Sequence, residues 1–286
     1  MSQSSANLYM RFPVARRIEH WVMMLSFTTL GLTGLAQKFS DHPVAISILK
    51  ALGGIESLRT IHHIAAIVMM FGTAWHILVM GYSVFVLRDQ MSMLPSIQDA
   101  KDGIQALLYN IGIAKTYPQM GRYTFEEKME YWAFVWGAAV MGITGFLMWN
   151  PITATQYLPG QFVPAAKAAH GGEAVLAVLA IIIWHMYGVH IKRFNKAMFT
   201  GTQTEAEMLH EHPLELADMK AGIADRRPDD ATLRKRKMIY YPIAAIVTLG
   251  MLAGIFGFIN SEETALTTIT PLTESEIYSP QQTPQP

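Results

Sequence analysis

The chain has 286 residues, of which 51% are hydrophobic and only 15% charged, a balance too apolar for an ordinary soluble domain of this length. A formal net charge of zero gives no reason to expect nucleic acid as a partner. The absence of cysteine excludes thioether-linked haem, cysteine-ligated iron–sulfur clusters and disulfides within the chain, so any redox group must be held by other side chains.

The apolar residues fall into five blocks, Trp21 to Ala36, Ile61 to Leu87, Tyr131 to Trp149, Ala174 to Ile191 and Ile239 to Ile259. Most reach or approach the roughly 20 residues a helix needs to cross a bilayer, so the expected fold is all-α, a transmembrane bundle with four core helices and a fifth at the C-terminal side. Residues 1–17 form a basic lead-in. Arg16 and Arg17 before an apolar run, with Gly34, Leu35 and Ala36 after it, could be read as a cleaved secretory signal. The length of the run and its start at Glu19, His20 and Trp21 favour a retained helix. Residues 37–60 are a loop broken by Pro43, Gly53 and Gly54. In the segment 88–128, Pro95 is followed by Ile97, Ile104, Leu107 and Leu108, the spacing of a short amphipathic helix, either at the membrane interface or packed on the bundle. Residues 150–168 form a loop punctuated by Pro151, Pro159 and Pro164, with Tyr157 and Phe162 for a surface or a partner.

The remaining divisions follow composition. Residues 1–195 make the four-helix core, 196–237 a polar connecting segment, 238–260 a fifth span with Gly250 and Gly254 as a small-residue face, and 261–286 an extended acidic tail. No internal repeat of useful length is found. If the N-terminus is cytoplasmic, inner segments hold 18 of the 22 basic residues and outer ones only Lys38, Lys50, Arg59 and Lys167, which sets the orientation and puts the tail outside.

Ten histidines are present, several within or at the ends of apolar blocks, where an ionisable group is functional by default. His62 and His76 are 14 apart, and His170 and His185 are 15 apart. These separations return to within about 40° and 60° of the same helix face and span roughly 21–23 Å. Since the two helices run the same way, depth matches His62 with His170 and His76 with His185. Two stacked imidazole pairs suit two haem irons, each with two axial positions. Close i, i+4 zinc spacing with carboxylates is absent from these helices. His63 points away from His62, His190 suits a solvated edge, His210 and His212 read as surface residues, and His42 has no context.

The segments Arg17 to Trp21, Leu32 to Gly34, Arg59 to Ala66, Gly121 to Trp132, Thr144 to Pro151, His170 to Ala174 and Trp184 to Tyr187 resemble the membrane cytochrome b subunits of formate dehydrogenases and nickel–iron hydrogenases. Within that superfamily they are similar to the di-haem cytochromes b associated with multihaem c-type cytochromes. The resemblance implies two b-type haems and pairs His62 with His170 and His20 with His185. Depth alone gives His185 to His76, so the fourth ligand stands open between His20 and His76, and the surplus histidine leaves a third haem open.

The resemblance also implies electron transfer between menaquinone or ubiquinone and an outer partner, a c-type cytochrome or an iron–sulfur or other oxidoreductase subunit, in a hetero-oligomeric complex of a bacterial inner membrane. The quinone is expected near the cytoplasmic haem at Tyr123, Thr124, Phe125, Glu126 and Glu127, or on the other side at Glu173. Glu126, Glu127 and Glu130 equally suit a helix start whose dipole they complement. The alternatives are a haem-stabilised anchor and a proton-coupled transporter.

Overall fold

A computed structural model describes residues 7–261, except 193 and 225. In chain order the elements are β1 (Leu8–Met10), α1 (Val14–Lys38), α2 (Pro43–Ala51), α3 (Ile55–Tyr82), α4 (Ile97–Asn110), α5 (Phe125–Trp149), α6 (Pro151–Thr155), α7 (Phe162–Ala180), α8 (Ala197–Thr200), β2 (Thr202–Thr204), α9 (Glu205–Glu211), α10 (Pro213–Lys220) and α11 (Asp230–Asn260). Two helices change their winding near the end. α3 continues as a π-helix over Ser83–Leu87, and α7 continues as one over Ile181–Ile191.

Among the described residues, four continuous helices are long and apolar enough to cross a membrane, Ile55–Leu87, Phe125–Trp149, Phe162–Ile191 and Asp230–Asn260. The expected count of five is thus not reached on length and composition. α1 has the length, 25 residues, but Arg16, Arg17, Glu19 and His20 in its first turns and Thr28, Thr29, Gly31, Thr33 and Gly34 further along dilute its apolar character. The last helix begins at Asp230, eight residues before the expected boundary, because Asp229 caps it by accepting from Thr232 N at 2.9 Å. The expected acidic tail, beyond Ser261, lies outside the described residues.

α1 packs antiparallel on α3, α5 antiparallel on α7, and α1 also meets α7. α11 runs along the outside of α3. The Tyr240 hydroxyl donates to Leu78 O at 2.5 Å, and Phe258 meets Phe146 and Trp149 with ring centroids 5.3 and 5.1 Å apart. A Cβ added at Gly250 or Gly254 would meet nothing within 4 Å, so this small-residue face is not packed on the bundle.

The two hairpins are related in a way that plain sequence inspection missed. Glu-His-Trp at 19–21 is followed fourteen residues after the glutamate by Thr33-Gly34, and Glu-Tyr-Trp at 130–132 is followed at the same interval by Thr144-Gly145. Each is paired with a helix carrying a first histidine and then a Trp-His pair, His62 with Trp75-His76 and His170 with Trp184-His185. The second spacing is one residue longer, and widening of the helix into the π-segment that contains His185 is the kind of local change that absorbs one extra residue.

One end of the bundle carries a polar cap, called here the sheet end. β1 and β2 pair antiparallel, with Tyr9 opposite Gln203, and Arg11 N and Phe12 N both donate to Gly201 O at 2.8 and 3.1 Å. α10 latches onto the entry to α5. His212 Nδ1 donates to Gly121 O at 2.9 Å, Leu214 N to Met120 O at 3.1 Å, and Arg122 pairs with Glu215 at 2.7 Å. His212, expected on the surface, is 1% exposed. Burial, together with the Arg11 charge, lowers its pKa to about 4. His210 is exposed.

Candidate functional site

The histidines gather as two facing pairs, one at each end of the bundle. His62 on α3 faces His170 on α7 with ring centroids 6.4 Å apart and planes at 63°. His20 on α1 faces His185 with centroids 6.3 Å apart and planes at 37°. Two imidazoles bound to opposite sides of one metal, with nitrogen–metal bonds of about 2.0 Å each, place their ring centres about 6.3 Å apart once the ring radii are added. Both pairs have that separation and line one cavity of about 4200 Å³.

The far pair is held by two threonines. The Thr33 hydroxyl donates to Thr29 O at 2.6 Å, so its oxygen is left to accept from His62 Nδ1 at 2.8 Å. Thr144 does the same, donating to Val140 O at 2.6 Å and accepting from His170 Nδ1 at 2.9 Å. Each ring is thereby fixed with its proton on Nδ1, which leaves the Nε2 lone pair for a metal. The glycine after each threonine makes room for the ring. A Cβ at Gly34 would stand 3.2 Å from His62 Cε1, and one at Gly145 would stand 3.5 Å from His170 Cε1.

At the sheet end glutamates take the place of threonines. Glu130 Oε2 accepts from His185 Nδ1 at 2.8 Å. Glu19 Oε2 accepts from His76 Nδ1 at 2.8 Å and from Arg16 at 3.1 Å. His76 Nε2 lies 3.1 Å from the Tyr131 hydroxyl. Both ring nitrogens of His76 are thus in hydrogen bonds, and the pairing that depth suggested, His76 with His185, is not the one the fold assembles. His20, His76 and His185 lie in one layer of the bundle, so depth alone does not choose among them, and His185 has the His20 ring as its facing neighbour.

The other expected residues scatter. Tyr123 and Glu127 line the cavity, whereas Thr124 and Glu126 do not. Thr124 and Glu127 form the capping box that starts α5, with Thr124 N to Glu127 Oε2 at 2.9 Å and Glu127 N to Thr124 Oγ1 at 3.1 Å. Glu127 also pairs at 3.6 Å with Arg11, which is buried to 1% exposure. Glu126 accepts from the Tyr117 hydroxyl at 3.0 Å. Of the carboxylates weighed for a helix start, Glu127 makes the capping bonds, Glu126 shares that first turn but bonds Tyr117, and Glu130 lies deeper, against His185. Glu173 lies half-buried between the two pairs, where a Cβ at Gly137 would come within 2.8 Å of its Oε1.

Several histidines have other duties. His63 stacks on Trp149 at 3.7 Å, His190 meets the edge of His185 at 6.0 Å, and His42 caps α2 by accepting from Val44 N at 3.3 Å. Sequence reasoning passed over Thr33, Thr144, Glu19 and Glu130 as partners of the histidines. The signal was the repeated fourteen-residue interval from glutamate to threonine.

Among the described residues no three His, Asp or Glu side chains gather to hold a bare metal ion. Paired imidazoles with threonine or carboxylate behind them would instead supply nitrogen ligands to the iron of a macrocyclic group, whose faces the apolar lining would suit. The donor set of either pair therefore fits haem.

Comparison with known proteins agrees with this chemistry. The family model described as prokaryotic cytochrome b561 matches residues 11–201. The chain is 26% identical over 213 residues to the cytochrome b556(fdo) subunit of formate dehydrogenase from Escherichia coli strain K12, covering 71% of this chain and 89% of that protein. It is 24% identical over 232 residues to the nitrate-inducible cytochrome b556(Fdn) subunit of the same organism, covering 79% and 99%. It is also 26% identical over 202 residues to the formate dehydrogenase cytochrome b556 subunit of Haemophilus influenzae, covering 69% and 77%. Matched from just after β1 to the turn after α8, the chain belongs to the prokaryotic cytochrome b561 family, a family of multi-pass, haem-bearing electron-transport proteins of the membrane.

Proposed function

We propose that this chain is a di-haem cytochrome b of the bacterial inner membrane that carries electrons between a quinone pool and a redox partner on the outer side. The observation that carries the reading is the matched separation of the two imidazole pairs, 6.3 and 6.4 Å, at opposite ends of one bundle. His62 and His170 hold the far haem and His20 and His185 the sheet-end haem, with His76 outside the ligand set. When bound, haem supplies the one-electron chemistry, and the chain fixes its position and tunes it through Thr33, Thr144 and Glu130.

The basic bias of the loops supports a cytoplasmic sheet end and N-terminus, with α1 as a fifth span and the C-terminal tail outside. In that orientation electrons moving between the two sites cross the membrane potential, about 2.3 kcal/mol per charge per 100 mV. The quinone, menaquinone or ubiquinone, docks in the cavity beside the sheet-end pair, where Tyr123 lies among the lining residues. The relatives are named as subunits of formate dehydrogenase, which supports a hetero-oligomeric setting with an oxidoreductase subunit or a c-type cytochrome on the outer face.

An absorption spectrum of the purified protein tests the reading. Two b-type components are expected, both reducible by a quinol. A colourless protein, or haems that only a chemical reductant reaches, would leave an anchor role.

A further inference from the structure

Quinone chemistry needs protons as well as electrons, and one half-buried cluster at the sheet end holds a hydrogen-bonded chain that the proposed haem ligation does not use. Glu19 on α1, His76 on α3 and Tyr131 on α5 are joined by hydrogen bonds of 2.8 and 3.1 Å. The Glu19 side chain is 9% exposed and that of His76 is 33% exposed, and His76 and Tyr131 both line the cavity that contains the sheet-end pair. The charged and polar groups around His76 are Arg16 and Glu19 from α1 and Tyr131 from α5. Arg16 also reaches Met80 and Ser83 at 3.3 and 3.4 Å.

The tautomer follows from the partners. A carboxylate only accepts, so His76 carries its proton on Nδ1 toward Glu19, and its Nε2 accepts from the Tyr131 hydroxyl. This order of carboxylate, imidazole and hydroxyl makes the hydroxyl oxygen a proton acceptor, because the imidazole can take the hydroxyl proton while the carboxylate stabilises the resulting cation. The repeat of the two hairpins points the same way. By the matching intervals Tyr131 occupies in the second hairpin the place His20 occupies in the first, and His76 the place of His185. The crossing that brings two imidazoles together on one side therefore brings an imidazole and a phenol together on the other, and the phenol exchanges a pair suited to iron for a pair suited to proton transfer.

Resting on the quinone reading above, we propose that Tyr131 and His76, the latter oriented by the Glu19 carboxylate, form the proton relay of the quinone site, with the Tyr131 hydroxyl as the group that meets the quinone oxygen. A quinol that becomes quinone gives up two electrons, which haem held by His20 and His185 would take one at a time, and two protons, which the chain's own residues must accept. For each proton, a quinol O–H bond breaks as the Tyr131 oxygen accepts it, the tyrosine's own proton moves to His76 Nε2, and the imidazolium held by Glu19 releases it to water at the sheet end. Quinone reduction runs the same steps in reverse.

The test uses the full haem-loaded chain in membrane vesicles, with haem reduction by a short-chain quinol followed by stopped flow. Tyr131→Phe removes the hydroxyl, and His76→Gln keeps hydrogen-bonding capacity toward both neighbours but cannot carry a proton. Each variant is expected to keep two haems per chain, as read from its dithionite-reduced spectrum, while quinol-driven reduction slows about 100-fold, the low end of what a positioned acid–base group contributes. The slowing of the wild-type rate in heavy water should disappear from both variants. Rates close to wild type in either variant overturn the relay, and a slow Tyr131→Phe beside a fast His76→Gln reduces Tyr131 to a binding group. A wild-type protein whose haems accept no electrons from any quinol overturns the quinone reading itself, a result that no variant is needed to recognise.

Discussion

In the α1/α3 hairpin, Glu19 holds His76 and Thr33 holds His62; in the α5/α7 hairpin, Glu130 holds His185 and Thr144 holds His170. The far ends of the two hairpins are alike, threonine behind histidine on both sides, and their two imidazoles meet each other. The sheet ends differ by one residue. After Glu19 comes His20, which faces His185 across the bundle, and after Glu130 comes Tyr131, which binds His76 instead. Imidazoles at one depth, each backed by a carboxylate, thus meet different partners, an imidazole for His185 and a phenol for His76, according to the residue that crosses from the opposite hairpin. A repeated scaffold sets where rings can stand, and the partner on the other side sets what they do.

The largest expected effect tests that division directly. Replacing His62 or His170 by Ala should remove the same far haem, and replacing His20 or His185 should remove the sheet-end haem, whereas His76→Ala should remove neither. Haem content and the low-spin signals seen by electron paramagnetic resonance check this, since interplanar angles of 63° and 37° give the two sites different spectra. Loss of a haem in His76→Ala with retention in His20→Ala would reverse the assignment at the sheet end.

Much of this was legible in the sequence, for physical reasons that also mark where legibility stops. Apolar runs of membrane length and histidines inside them give the helices and the far pair, because hydropathy and helical rise are local properties. The choice between His20 and His76 is not local. It depends on which way a ring faces after the helices have packed, and on a π-segment around His185 that shifts helical phase. His212 was misread for a similar reason. In a polar stretch it looks solvated, yet a backbone carbonyl ninety-one residues away, that of Gly121, draws it inside. The hairpin repeat is carried by few identities, Glu, Thr-Gly and Trp-His, and becomes visible once their contacts are superposed.

The entries to the two hairpins offer the next comparison. α1 is tied to the cap through backbone bonds to Gly201, which do not titrate, while α5 is tied through His212. His212 has its pKa lowered by burial from 6.5 to about 4, so the fold holds it neutral. The stability this gives is complete above pH 6.5 and is lost as pH falls toward 4, about 3 kcal/mol in all. Hydrogen exchange should accordingly rise around residues 120–124 across that window before it rises at Arg11 and Phe12. His212→Gln, which keeps a donor for Gly121, should flatten the response.

A smaller effect is expected from the threonines. Thr33→Val and Thr144→Val keep shape but remove the oxygen that orients each imidazole, and such outer partners are typically worth 10–100-fold in metal affinity or activity. Both variants should weaken the far haem and shift its midpoint potential, leaving the sheet-end haem as it was. A change confined to the sheet-end haem in either variant would mean that the hairpins do not share the far site equally.

The finest distinction lies between the two glycines that follow those threonines. Alanine in a helix interior is favoured over glycine by about 1 kcal/mol, so with space available either substitution should stabilise the protein. At Gly145 the space exists, since the new Cβ would stand 3.5 Å from His170 Cε1, an ordinary contact. At Gly34 it would stand 3.2 Å from His62 Cε1, and the ring must yield by a few tenths of an ångström. That ring is held by Thr33 on one side and, on the proposed reading, by the far haem on the other, so the displacement would fall on ligand geometry. Gly145→Ala is therefore expected to raise thermal stability with the far-haem spectrum unchanged, while Gly34→Ala alters that spectrum and loses most of the gain. Equal stabilisation by both, with both spectra intact, would show that the two halves of the far site tolerate displacement alike and that the tighter packing of His62 against α1 has no functional consequence.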